Sequence, residues 1–184
     1  MKLKSIGLLG LLAIVFSCGS SSNQEETETT NVSGRYFFNF DELDHYRIEI
    51  DEMTLLEKEE DANINADEQL QIDLILMDAP HSIDDTTFVA ELEKIGFTKN
   101  QVDRKKFRRI NEIFKEKEVD QSIANDCIAV YRDILIFKEH HKIIGLAKIC
   151  FHCNQHIIYG TAANTVNFGQ EGGYSRLRKI LNQQ

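Results

Sequence analysis

The chain contains no tryptophan and one proline, Pro80, among its 184 residues. The first absence removes the broadest ring used in extended sugar-stacking platforms, and the second excludes proline-rich linkers, while tyrosine and phenylalanine remain. Long apolar runs are missing too: the longest, Ile6 to Phe16, falls well short of the ~20 residues needed to cross a hydrocarbon core. Basic charge is in short supply. Twenty-one Lys and Arg face 30 Asp and Glu for a formal net charge of -9, and the balance becomes more negative if a leader holding Lys2 and Lys4 is removed. A chain of that overall sign lacks the basic footprint for nucleic acid or for electrostatic docking on an anionic lipid surface. Gly169, Gly172 and Gly173 form no phosphate-binding loop, because neither Gly-Lys-Ser/Thr nor Gly-x-Gly-x-x-Gly leads from a strand into a helix. No serine or cysteine triad motif is present, and although a nucleophile, base and acid from separated positions can still converge in space, a non-enzymatic protein is the expectation.

Residues 1–17 have a basic start, a short apolar run and a small residue, Ser17, before Cys18, the organisation of a secretory signal peptide. Val15-Phe16-Ser17-Cys18 resembles the lipobox of bacterial lipoproteins, with Phe16 departing from the usual small residue. The resemblance implies that Cys18 becomes the mature N-terminus, carries acyl chains such as palmitate, and anchors the protein to a membrane. Gly19 after Cys18 resembles the outer-membrane sorting pattern of bacteria that use aspartate as the avoidance signal. Glu25, Glu26 and Glu28 resemble the acidic tethers of surface-exported Bacteroidota lipoproteins. The implied location is the outer membrane, facing the periplasm or the cell surface. Residues 18–34 hold too little apolar surface to offset the entropy of ordering and read as a tether. One folded domain is expected over 35–184.

Within it, the alternation of Tyr46, Ile48 and Ile50 predicts strands over RYFFNF and HYRIEIDEMTLL, with Asp41 to Asp44 between them. The acidic run Glu57 to Gln69 has no apolar period and reads as a solvated loop without the ligand spacing of a calcium site. Leu70, Ile72, Leu74 and Leu76 alternate, which predicts a strand ending at Ala79-Pro80. Ser82 to Asp85 has capping-box spacing ahead of Phe88, Leu92 and Ile95, so a helix is expected up to Gly96. Thr98 and Gln101 repeat that spacing before a second helix over 99–117, with Phe107, Ile110 and Phe114 buried. Arg104, Lys105, Arg108, Arg109 and Lys115 on its other face suggest either an anion or partner site or a solvated surface paired with Asp103, Glu112 and Glu116.

Cys127 to Phe137 is apolar at both parities, as expected of a strand covered on both faces. Lys138 to Lys142, with His140 and His141, reads as a polar turn into a partner strand over Ile143 to Phe151, followed by a shorter strand over Gln155 to Gly160. Placing Phe137 opposite Ile143 sets Cys127 opposite Cys153 and Cys150 opposite Val130, so the three thiols gather at the open end of the hairpin. A disulfide between opposed strand residues, a zinc site completed by His152 or His156, redox chemistry at Cys150-Phe151-His152-Cys153, and inert buried thiols all fit that clustering. Export favours a disulfide. The pattern Cys-x-x-x-Tyr-Arg-Asp with Ile-Cys-Phe-x-Cys resembles one found in Bacteroidota proteins, a resemblance that implies no activity. Tyr131-Arg132-Asp133 reads as a polar spot at the strand centre or as a local Arg132 and Asp133 pair. Tyr174, Leu177 and Leu181 place a docking helix at the C-terminus.

The expected architecture is α+β: an antiparallel sheet with two central helices and a C-terminal helix packed on it. The expected function is a binding or assembly module of the envelope, with an envelope protein as partner. The alternative is a thiol or metal protein acting through Cys127, Cys150 and Cys153.

Overall fold

The computed structural model describes residues 34–118 and 127–183. The leader, Cys18 and the tether up to Ser33 lie outside the described residues. Five strands form one antiparallel sheet: β1 (Glu42–Arg47), β2 (Thr98–Gln101), β3 (Asp133–Glu139), β4 (Lys142–Cys150) and β5 (Gln155–Tyr159), in the order β2-β1-β3-β4-β5. Among the described residues there are four α-helices, α1 (Glu52–Glu60), α2 (Ala66–Ile75), α3 (Phe107–Asn111) and α4 (Gly173–Asn182). The expected class, an antiparallel sheet with helices packed on it and the last helix C-terminal, is what the chain adopts.

Strand alternation divides the molecule into two layers. Leu43, Leu135, Phe137, Ala147 and Ile149 face α3 and α4 and join Ile110, Phe114, Tyr174, Leu177 and Ile180 in one core. Tyr46, Ile134, Ile136 and Leu146 point the other way, against Leu55 of α1 and Ile72 and Ile75 of α2. Both faces of β3 are therefore covered, which is why its two parities are apolar.

The helices of the second layer lie where the sequence suggested a loop and a strand. The Asp51 carboxylate accepts the Thr54 N–H and starts α1. Asn65 accepts the N–H groups of Asp67 and Glu68, and the Glu68 carboxylate takes the Asn65 N–H in return. This capping box starts α2, and tertiary burial of Ile72, Leu74 and Ile75 overrides the strand-like alternation. The two long central helices expected over 85–96 and 99–117 are instead short. A single 3-10 turn covers Thr87–Ala90, and β2, a 3-10 turn over Arg104–Lys106 and the five-residue α3 share the second stretch. Of their expected buried residues Phe88, Leu92, Ile95, Ile110 and Phe114 are in the core, while Phe107 is only half-buried against it. Edge pairing of 98–101 with β1 keeps the second stretch from being helical throughout.

The β3–β4 turn is tighter than expected. His140 and His141 both have positive φ, at 49° and 64°, the conformation of a two-residue hairpin turn. Glu139 faces Lys142, Lys138 faces Ile143, and Phe137 faces Gly145, so Ile144 is an extra residue and the register moves by two relative to the expected pairing. Gly145 fits because a Cβ there would lie 2.2 Å from Cε1 of Phe38.

Candidate functional site

The cysteines meet, as the hairpin argument required, although β3 begins only at Asp133. Cys127 and Cys153 form a disulfide with Cα atoms 5.7 Å apart. Cys150 is a free thiol, buried beside Tyr131, and its sulfur accepts the Cys153 N–H. His152 is exposed on the following turn. His156, on β5, is fully engaged elsewhere: Nε2 lies 2.9 Å from the Thr165 carbonyl and Nδ1 2.7 Å from the Tyr174 hydroxyl. A carbonyl only accepts, so Nε2 carries the proton and Nδ1 accepts from Tyr174, a neutral imidazole. Burial pushes its pKa below the ordinary value, opposed by the Thr165 carbonyl. Among the described residues no group of three His, Cys, Asp or Glu is placed to hold a metal ion.

Two polar features sit inside the sheet. His45 on β1 and Asp133 on β3 are buried and paired, Nε2 to Oδ1, at 2.7 Å. The expected pairing of Arg132 with Asp133 does not occur, since successive strand residues face opposite ways and Arg132 donates to the Ile50 carbonyl. On the other face, Lys148 is 0% exposed, and its ammonium sits 4.9 Å above the Tyr131 ring. Burial depresses its pKa to about 7 against the pull of Asp78 and Asp73, and burial raises that of Tyr131 to about 12. Both features lock elements together, and sequence signals for them existed: Lys148 interrupts an apolar strand, and His45 and Asp133 are polar residues at strand positions.

A further arrangement lies between α3 and α4. A cleft of about 550 Å³ is walled by Arg108 and Arg109 from α3 and by Arg176 and Lys179 from α4, over Ile113 and Ile180, with Glu112 as its one acidic residue. Its volume is that of a small-molecule site. The chain matches no family model, no curated protein and no solved structure. The chemistry of the cleft therefore has to be read from its own residues.

Among the described residues, none of the four cations has a carboxylate oxygen within 4.0 Å. The acids suggested as partners are occupied differently. Glu116 binds Arg35 and accepts the Asn164 N–H. Glu112 takes the Tyr36 hydroxyl at 2.7 Å, and Lys115 lies 3.7 Å from it. Asp103 caps the Lys105 N–H. Arg176 and the nearby Lys117 repel each other: burial first, and then the Arg176 charge, lower the Lys117 pKa. Arg109 and Arg176 spend one donor each on the Gln183 side chain and the Glu171 carbonyl, and among the described residues the rest of their forks have no hydrogen-bond partner.

This concentration belongs to a larger polarity. Residues 49–78, which hold α1 and α2, contain eleven acidic residues and one basic, Lys58. Residues 104–117 contain seven basic and two acidic residues, and α4 adds Arg176, Arg178 and Lys179 without an acid. The two layers lie on opposite sheet faces, so a net charge of -9 conceals a strongly basic side. Arg176 and Lys179 were missed from sequence because they join Arg108 and Arg109 only after folding. The signal was an acid-free helix in an acidic chain.

Proposed function

We propose that the chain is an outer-membrane-anchored lipoprotein whose folded domain is a non-enzymatic binding module of the envelope, taking an acidic partner in the basic cleft between α3 and α4. The observation that carries the binding role is the excess of four cations over one carboxylate, Glu112, around one cleft, with none of the four in an ion pair among the described residues. Cationic side chains in such excess repel one another, an arrangement that an anion relieves, and three of the four are arginines, whose planar forks match carboxylate and phosphate oxygens. The anchor rests on the lipobox-like leader with Cys18, and the Cys127–Cys153 bridge suits an exported protein. A thiol or metal role would first require that bridge to be reduced and the buried Cys150 to be uncovered.

Two experiments test the proposal. The wild-type protein should incorporate labelled palmitate and fractionate with the outer membrane, and Cys18→Ala should do neither; labelling of the variant would end the anchor assignment. Affinity purification from the native envelope should recover acidic material that Arg108→Glu/Lys179→Glu fails to recover. Equal recovery by both would remove the cleft from the binding role.

A further inference from the structure

A smaller cavity, of about 210 Å³, shares no lining residue with the α3–α4 cleft. Arg47 ends β1 and Asp133 begins β3, and the two stand opposite each other in the ladder. Directly opposed residues point to one face, here the face that α4 covers, so Arg178 of α4 joins them, with Arg132 and with His152 from the β4–β5 turn. These groups are not equally available. Arg47 is balanced by Glu49 and also donates to the Asn182 side chain. Arg132 spends Nε on the Ile50 carbonyl, and its two terminal nitrogens have no partner among the described residues. Arg178 makes neither a hydrogen bond nor an ion pair there. Asp133 is 5% exposed; its Oδ1 is held by Nε2 of His45, and its Oδ2 has no hydrogen-bond partner among the described residues and is not sealed from the cavity. The cavity therefore combines two available guanidinium groups with one buried carboxylate oxygen. Guanidinium groups only donate and suit anionic oxygens, whereas a carboxylate only accepts and repels an anion that brings no proton.

We propose that this cavity is a second binding site, separate from the cleft, and that it takes inorganic phosphate in a protonated form, with its charged oxygens on Arg132 and Arg178 and its P–OH group donating to Oδ2 of Asp133. The volume lies below that of sites for drug-sized ligands and suits one tetrahedral anion with its waters. Asp133 is what selects among anions. Hydrogen phosphate keeps a hydroxyl donor at neutral and mildly alkaline pH. Sulfate and carboxylates offer acceptors alone, and so does a phosphate monoester above its second pKa of about 6. Each of these sets a bare anionic oxygen against Asp133, the kind of mismatch by which a polar site rejects a near-isostere.

Isothermal titration of the full-length protein in detergent at pH 8 tests this with inorganic phosphate, sulfate and phenyl phosphate, all on an Arg108→Glu/Lys179→Glu background that disables the cleft. Phosphate should bind with one equivalent per chain, at least about tenfold more tightly than sulfate or phenyl phosphate. Arg178→Gln, at an exposed position that holds nothing else, should weaken phosphate about tenfold by removing charge-assisted bonds. Asp133→Asn, whose amide can donate as well as accept, should bring phosphate and sulfate to within about threefold of each other. Circular dichroism checks the fold of each variant, and if Asp133→Asn does not fold, the preference of the parent and the loss with Arg178→Gln decide the matter. No phosphate binding on the cleft-disabled background, or unchanged binding with Arg178→Gln, would overturn the site. Sulfate or phenyl phosphate binding as tightly as phosphate would overturn the role of Asp133 and with it the ligand. None of these failures touches the acidic partner proposed for the cleft, whose own test is recovery from the envelope.

Discussion

The Lys148 ammonium donates to the carbonyl of Met77 at 2.5 Å and to that of Ala79 at 2.7 Å, so a lysine from β4 holds the segment that follows α2. The two carbonyls favour a cation, but burial works against that cation and brings its pKa down from 10.5 to about 7. The unfolded chain then binds a proton that the folded one releases between pH 7 and 10.5, and stability rises with pH across that window. Denaturant unfolding between pH 7.5 and 9.5 should show a gain approaching about 1 kcal/mol per pH unit, below the ceiling of about 1.4 for one site. Above pH 10 the raised pKa of Tyr131 reverses the trend, because the folded state then holds the extra proton. Lys148→Met should flatten the slope and cost about 1–3 kcal/mol, since two carbonyls lose their donor. A variant with an unchanged slope would show that another group titrates.

His156 gives the opposite end of the pH range. Its neutral form is fixed by the Tyr174 hydroxyl at Nδ1 and the Thr165 carbonyl at Nε2, and its folded pKa lies below the ordinary 6.5. As pH falls below 6.5 the unfolded chain takes up a proton that the folded chain refuses, and stability declines until the folded pKa is reached. Unfolding measured from pH 6.5 to 5 should reveal a loss of stability attributable to this ring. His156→Gln keeps a donor and an acceptor and should remove that part of the pH dependence. An identical profile for the variant would place the titration elsewhere.

The hairpin and the C-terminal helix were legible in sequence because each carries a regular period: β3 and β4 are long apolar strands, and Tyr174 and Leu177 recur on one helical face. α1 and α2 were not, for a specific reason. The alternation from Leu70 to Leu76 imitates a strand, and the decisive signal was local: Asn65 and Glu68 form a capping box just upstream of the burial. For the site, Arg108 and Arg109 could be named in advance. Their companions Arg176 and Lys179 lie more than sixty residues away, and only the docking of α4 on α3 brings them together. The Asp133 partner was hidden in the same way, since His45 reaches it by strand pairing across 88 positions.

Gly145 is required by close packing. A Cβ built there would lie 2.2–2.6 Å from three atoms of the Phe38 ring, which itself stacks on Phe137 at 4.3 Å between centroids. Phe38 is 4% exposed and walled by Phe37, Phe114 and Phe137, so it has no free direction in which to move. Gly145→Ala should destabilise the domain by about 1–3 kcal/mol, the usual cost of overpacking a filled core. The double variant Phe38→Leu/Gly145→Ala should lose less than the two single losses combined. Strict additivity in that cycle would mean that the ring and the glycine are not coupled.

The Cys127–Cys153 bridge closes a loop with a sequence separation of 26, and that loop contains the whole β3–β4 hairpin. The hairpin is already held by its ladder in the folded state, so the bridge acts mainly on the unfolded chain by forbidding its more extended conformations. For a loop of this length the chain-entropy argument gives about 3.5 kcal/mol. Intact mass before and after reduction should differ by the two hydrogens of one bridge, and the reduced protein should unfold at a lower denaturant midpoint. Cys150 supplies the internal control. At 1% exposed it should resist iodoacetamide in the native protein and react only on unfolding. Alkylation of Cys127 and Cys153 without prior reduction would show the bridge to be absent, and an unchanged midpoint after verified reduction would show that it constrains nothing the folded chain depends on.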